Sequence, residues 1–218
     1  MASTKARAEG AKSLPLRRRA LFAKRAFDIV CSLLGLLILA PVLLVVAVLV
    51  KLSSRGPIFY RQQRVGRDFV PFGIYKFRSM VVNADRQGVL LTAGRDPRIT
   101  RIGAFLRRSK LDELPQLLNV LKGDMSLVGP RPEVAQYVEQ FHADYEDLLR
   151  VRPGITDLAS LEYRDEADVL GHSADPEREY IETILPRKIA LSRAYLRDVS
   201  LGHDLRIIGR TIRKVFSH

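Results

Sequence analysis

Arg107-Arg108-Ser109-Lys110-Leu111-Asp112-Glu113-Leu114-Pro115-Gln116-Leu117-Leu118-Asn119-Val120-Leu121-Lys122-Gly123 sets two adjacent carboxylates between a cationic run and an apolar helix. Leu114, Leu117, Leu118 and Leu121 recur at i, i+3, i+4 and i+7, the spacing of one buried helical face. Gly123 supplies the stop. Pro115 lacks an N–H and fits only a first turn, so the spacing predicts a helix that begins close to Asp112, with Asp112 as its N-cap. A carboxylate there lies at the positive end of the helix dipole beside Arg107, Arg108 and Lys110, and both effects favour its ionised form. The expected product is an accessible, charged carboxylate among groups that hold phosphates. Acidic first turns also arise as plain capping, so the pair takes its meaning from the rest of the chain.

The chain has 218 residues, enough for one domain with a real core. Lys and Arg total 36 against 24 Asp and Glu, a net charge of +12. Such an excess implies an anionic partner, which is nucleic acid, a phospholipid surface or a phosphorylated substrate. The single cysteine, Cys31, excludes an intramolecular disulfide and fits a reducing compartment.

Residues 1–25 read as a basic N-terminal arm, with Lys5, Arg7, Lys12, Arg17, Arg18, Arg19, Lys24 and Arg25 against one acid, Glu9. Ile29 to Val50 then carries no charge. As a straight helix it reaches about 33 Å, enough for a hydrocarbon core of about 30 Å. A buried soluble helix and a cleaved secretory signal both fit poorly, because the apolar run is long and Lys51 follows it. Basic residues flank it on both sides, so flanking charge marks no outer end. Pro41 removes a backbone hydrogen bond near the middle, and a break there leaves arms of about 18 and 15 Å, each reaching halfway through the core. The residues themselves leave two readings open: a kinked spanning helix, and a re-entrant helix over residues 26–52 that returns to the same face.

Residues 53–218 are expected to form a cytoplasmic domain, mainly α with a small β hairpin or meander (α+β). The runs Ile58-Phe59-Tyr60 and Phe72 to Met80 flank Val65-Gly66-Arg67-Asp68 as a hairpin would, with Phe72, Ile74, Lys76 and Arg78 on one strand face. Lys76 and Arg78 there are candidate phosphate or headgroup ligands. Asp96-Pro97 reads as the cap and first residue of a basic helix through Thr100, Phe105 and Arg108. Prolines on both sides of Arg131 hold it extended, which suits fixed recognition of phosphate or carboxylate. Further helices are expected over Glu133–Leu149, Pro176–Leu185 and Arg187–Asp198, while residues 155–173 carry no clear period. The last helix, from Asp204, sets Leu205, Ile208, Ile212 and Val215 against Arg206, Arg210, Arg213 and Lys214. That is the pattern of an amphipathic helix on an anionic bilayer, and equally of a plain surface helix.

Taken together, these stretches resemble the bacterial sugar transferases, the small monotopic polyprenyl-phosphate phosphoglycosyl transferases. The matching elements are Lys24-Arg25-Ala26-Phe27-Asp28, Gly56-Pro57-Ile58-Phe59, Lys76-Phe77-Arg78-Ser79-Met80, Arg98-Ile99-Thr100 and Leu106-Arg107. They continue with Leu111 to Gln116, Asn119 to Ser126, Val128-Gly129-Pro130-Arg131-Pro132 and Arg152-Pro153-Gly154-Ile155-Thr156. The resemblance implies transfer of phosphosugar from a nucleotide sugar, usually a UDP-sugar, to polyprenyl phosphate, with release of the nucleoside monophosphate. It implies Asp112 as a nucleophile that forms a covalent phosphosugar intermediate, Glu113 as its assistant, and Mg²⁺ as cofactor, held by Asp112 with Glu113 and the substrate phosphates. Arg107, Arg131, Lys76 and Arg78 would then stabilise phosphoryl oxygens. It further implies a re-entrant segment in one leaflet of the bacterial inner membrane, with the catalytic domain on the cytoplasmic face and anionic phospholipid around it.

Two departures stand out. After Thr156 many members continue Gly-Trp-Ala-Gln, whereas this chain has Asp157-Leu158-Ala159-Ser160-Leu161-Glu162 and no tryptophan. The sugar and the role of residues 157–175 therefore do not carry over. The short N-terminal arm resembles the members that are little more than a catalytic core. A membrane-tethered binding or scaffold protein without catalysis explains the charge and the apolar run, but not the acidic pair among those motifs. Nucleic acid is not an expected partner, since few aromatics interleave the basic stretches to stack bases. Self-association into a homo-oligomer stays open.

Overall fold

The computed structural model describes residues 18–84, 91–94 and 96–217. Residues 1–17 of the expected basic arm lie outside them, and Arg18 to Arg25 belong to the first helix. That helix, α1 (Arg18–Ser53), is continuous, with Pro41 inside it. The expected break at Pro41 therefore does not interrupt the helix. One face of α1 is buried or half-buried along its length, through Lys24, Asp28, Ser32, Gly35, Leu39, Leu43, Val46 and Val50. These positions recur every three or four residues, as one helical stripe does. The opposite face, with Val30, Leu33, Leu37, Ile38, Leu44, Val45 and Leu52, is apolar and exposed.

Polar bonds fix the first part of that stripe to the domain. Lys24 Nζ lies 2.5 Å from Asp204 Oδ2, both groups buried. Arg25 donates to the carbonyls of Val120 and Leu121 at 2.7 and 3.2 Å, and Asp28 accepts from Ser126 Oγ and the Leu127 N–H. Farther on, the backbone at Gly35 lies close to Leu117. Val46 and Val50 then pack with Phe77 and Leu106.

Strands β1 (Phe59–Val65) and β2 (Pro71–Phe77) form the expected antiparallel hairpin, in a register running from Phe59 opposite Phe77 to Val65 opposite Pro71. The next helix, α2 (Arg101–Arg108), starts later than Asp96-Pro97 predicted. Thr100 Oγ1 caps it by accepting from the Gly103 N–H, while the Asp96 carboxylate accepts from the backbone and guanidinium of Arg98.

A 3-10 turn over Leu111–Glu113 leads into α3 (Gln116–Lys122), so Asp112 lies inside that turn and is not the N-cap expected of it. Gly123, at φ 97°, ends α3 as the sequence predicted. The left-handed residue that closes a helix is most cheaply a glycine.

A second, parallel pair joins β3 (Ser126–Val128) to β4 (Gly154–Thr156). At Gly154 a Cβ would stand 2.1 Å from the Gly129 nitrogen, so this close approach requires glycine. The single helix expected over Glu133–Leu149 is two, α4 (Ala135–Gln140) and α5 (His142–Leu148), parted at Phe141 with φ −113° and ψ 32°. Glu133 precedes both, because its buried carboxylate accepts from Arg64 and Tyr180. The unassigned segment holds β4, α6 (Leu158–Glu162) and α7 (Glu166–Gly171).

Helix α8 (Pro176–Glu179) passes through a π turn at Tyr180–Ile184 into α9 (Leu185–Leu196). The last helix, α10 (Leu201–Phe216), is capped by Ser200 and starts before Asp204. It buries Asp204 and Ile207, while Leu205 and Ile212 face outward.

The main core gathers Val128, Tyr137, Leu148, Leu161, Leu170, Tyr180, Leu185, Tyr195 and Ile207, and so joins β3 to helices α4 to α7, α9 and α10. A smaller cluster of Phe72, Ile74, Val120 and Met125 seats α3 under the hairpin.

Candidate active site

The hairpin, α3 and the segment after β3 converge on the acidic pair. Asn119 makes the first connection. Its Nδ2 donates to the Gly73 carbonyl at 2.8 Å and its Oδ1 accepts from the Tyr75 N–H at 2.9 Å, which ties α3 to β2. Lys76, next along β2, then reaches Glu113 Oε1 with its ammonium at 2.9 Å. From the other side Arg131 donates Nη2 to the same oxygen at 2.7 Å. Its Nη1 donates to Ser160 Oγ at 3.4 Å.

The two carboxylates have opposite electrostatics. Burial works against the charge on Glu113, but Arg131 and Lys76 outweigh it and hold the group well below the usual carboxylate range. Arg131 is raised in turn, chiefly by the charge of Glu113. Asp112 is only 6% exposed. Burial first and the Glu113 charge second raise it to about 6, against the pull of Lys76, Arg107 and Lys110. This corrects the expectation of an accessible carboxylate held ionised by a helix end. Taking the group out of water outweighs the neighbouring cations. The Asp112 Oδ1 atom is buried without a hydrogen-bond partner.

Four of the six expected site residues are thus joined or adjacent: Asp112, Glu113, Lys76 and Arg131. Arg107, in the last turn of α2, acts on Asp112 through its charge. Arg78 is placed elsewhere. Its Nη2 donates to the Val50 and Ser54 carbonyls and to Ser54 Oγ, at the C-terminal end of α1, and no bond joins it to the pair. Sequence reasoning missed Asn119 and Ser160. Asn119 left a signal, a polar residue inside an apolar run, whereas Ser160 lies in the segment without a period.

Among the described residues no three of His, Cys, Asp and Glu converge as a metal cage. A hard divalent cation such as Mg²⁺ needs only one or two carboxylates together with substrate phosphates. The orphaned Asp112 oxygen fits that role. Glu113 fits it less well, because Oε1 already accepts from two cations.

A sequence profile of the bacterial sugar transferases matches residues 19–218, and the chain belongs to that family. It is 42% identical over 197 residues to the UDP-glucose:undecaprenyl-phosphate glucose-1-phosphate transferase of Escherichia coli K12, covering 88% of this chain and 40% of that protein. The UDP-N-acetylgalactosamine-undecaprenyl-phosphate N-acetylgalactosaminephosphotransferase of Aeromonas hydrophila is 39% identical over 199 residues, 90% of this chain and 44% of that one. An exopolysaccharide production protein of Rhizobium leguminosarum is 43% identical over 88% of this chain and 94% of its own. The chain therefore spans about two fifths of the first two relatives and nearly all of the third.

Proposed function

We propose that this chain transfers phosphosugar from a nucleoside diphosphate sugar, of the UDP class, to polyprenyl phosphate. The products are polyprenyl-diphosphate-sugar and UMP, in the first membrane step of glycoconjugate assembly. One observation carries the reading: Lys76 and Arg131 both bond Glu113 Oε1, while Asp112 beside it keeps a buried oxygen without a partner. The paired carboxylate organises the cations, and the unpaired one is available for attack.

In this mechanism the Asp112 carboxylate attacks the β-phosphorus, and the bond from that phosphorus to the bridging oxygen breaks. The electron pair leaves with UMP, and a phosphosugar remains on Asp112 as an acyl phosphate. Polyprenyl phosphate then attacks the same phosphorus and frees Asp112. Burial suits the carboxylate to this role, since a desolvated anion is a stronger nucleophile than a hydrated one. Arg131, held by Glu113 and Ser160, and Lys76 stay in place to stabilise phosphoryl oxygens. Asp112 would hold Mg²⁺ with the substrate phosphates, and the ion would offset their negative charge.

The packing of α1 supports a one-sided seat in the membrane. The helix is long and apolar enough to cross a bilayer. Yet Lys24, Asp28, Gly35, Val46 and Val50, spread over about 39 Å of helix, all rest on the same domain. A helix gripped at both ends and at its middle by one domain favours a seat with both ends on one face. The exposed apolar face of α1 and the outward Leu205 and Ile212 of α10 would then enter one leaflet, among anionic lipids on the cytoplasmic face of the inner membrane.

The deciding experiment supplies a panel of labelled UDP-sugars with Mg²⁺, with and without polyprenyl phosphate. Wild-type protein without lipid should retain phosphosugar on Asp112, in a bond labile to hydroxylamine, and lipid should discharge it. Label mapped to another residue, or full activity in Asp112→Asn, refutes the assignment.

A further inference from the structure

Lys110 is a lysine at a glycine's position. It follows the C-cap Ser109 of α2 with φ 58° and ψ 14°, and its N–H donates to the Arg107 carbonyl. Helices commonly end on a left-handed residue there, and glycine or asparagine takes the conformation with least strain. A long side chain kept at such a place, next to the acidic pair, suggests a use for its ammonium.

The charges around the pair point to that use. Lys76, Arg107, Lys110 and Arg131 surround Asp112 and Glu113, an excess of two positive charges. Lys76 and Arg131 are committed to Glu113. Among the described residues the side chains of Arg107 and Lys110 donate no hydrogen bond, although both act on Asp112. Lys110 is more exposed than the half-buried Arg107, while its ammonium is partly desolvated beside the pair, which lowers its pKa. The lysine thus stands between the pair and the water from which a soluble nucleotide enters.

We propose that the Lys110 ammonium binds the α-phosphate of the nucleotide sugar and receives the charge that forms on the departing nucleoside monophosphate. The assignment rests on the transferase reading above. A diphosphate diester carries two negative charges and the Asp112 carboxylate one. After the bond between the β-phosphorus and the bridging oxygen breaks, the phosphosugar on Asp112 carries one and the nucleoside monophosphate two. The leaving phosphate is the group that gains charge, and a donor aimed at it acts more strongly in the transition state than in the ground state.

Lys110→Asn and Lys110→Gly remove the ammonium while keeping residues at ease in the left-handed conformation, so the fold should survive with an unchanged or higher Tm. Lys110→Arg should restore part of the loss. The probe is UMP, tested as a product inhibitor of full-length protein in detergent. Its inhibition constant should rise about 10- to 100-fold in Lys110→Asn, the span of a hydrogen bond to a charged group. Formation of the phosphosugar on the protein should slow by a similar factor. Its discharge into polyprenyl phosphate, which involves no nucleotide, should keep its wild-type rate. Unchanged UMP inhibition in both variants overturns the proposal, and so does equal slowing of both half-reactions, which would place the ammonium on the transferred phosphoryl group. If wild type forms no covalent intermediate, the covalent reading fails, and UMP inhibition still tests Lys110 by itself.

Discussion

Arg131 Nη2 and Lys76 Nζ meet on one oxygen, Glu113 Oε1, at 2.7 and 2.9 Å. Two cations from distant parts of the chain are thereby fixed beside Asp112, and neither needs the substrate to order it.

This arrangement predicts that Arg131→Lys is not conservative. A lysine can replace the charge but not the planar fork that reaches both Glu113 and Ser160. Turnover should fall about 100-fold, the usual loss for one donor at a developing charge, with little change in Tm. Steady-state UMP release and a thermal melt together check it. Glu113→Gln should also lose turnover, yet retain some of the first half-reaction in a single-turnover label assay.

Asp112 should trade stability for activity. Its folded value of about 6 lies above its ordinary 3.8, so ionising it in the fold costs free energy. That cost is absent below about pH 4, grows as pH rises toward 6 and is constant above. Asp112→Asn should therefore be inactive but more stable at pH 7.5, by about 3 kcal/mol, with the difference vanishing near pH 4. Melts of both proteins in chelator at the two pH values test this. Wild-type phosphosugar formation should fall as pH drops through about 6, to about one-tenth at pH 5.

Arg78 should behave as a clasp on α1. Its bonds to the Val50 and Ser54 carbonyls satisfy orphan acceptors at the helix end. Arg78→Met should lower stability by about 1.5–3 kcal/mol, the worth of hydrogen bonds to a charged group, and leave KM for the nucleotide sugar unchanged below the melting range. A raised KM with unchanged Tm would return Arg78 to the phosphate site.

Lys24 and Asp204 form the other clasp. Lys24→Met leaves Asp204 buried without its cation and should cost about 3–5 kcal/mol, while Lys24→Met with Asp204→Leu should recover most of it. Single cysteines near Ser3 and Ser217, in a Cys31→Ser background, should react only from the cytoplasmic side. Labelling of the first from outside would establish a crossing.

Much of the site was legible because its residues fall in short local patterns. The leucine spacing and Gly123 bounded α3, and the prolines around Arg131 marked a fixed cation. The helix expected over Glu133–Leu149 starts later, with Glu133 held by Arg64 and Tyr180 in contacts that no local period reports, and it is parted at Phe141. Arg78 shows the same limit: its place near Lys76 suited the site, while its bonds go to α1.

By itself the sequence determined the elements with strong local period, the apolar length of α1, the positive charge and the order of the family's motifs. Tertiary structure decided which carboxylate is paired and which is not. Asp112 and Glu113 are chain neighbours that share Lys76 and Lys110, yet one is raised to about 6 and the other held well below its ordinary value. Burial opposes the charge on both, and the difference comes above all from Arg131, which with Lys76 bonds Glu113 where the parallel strands and the hairpin carry the two cations. Electrostatics in a desolvated site depend on distances in space, and those are set by the packing of α3, β2 and β3 together.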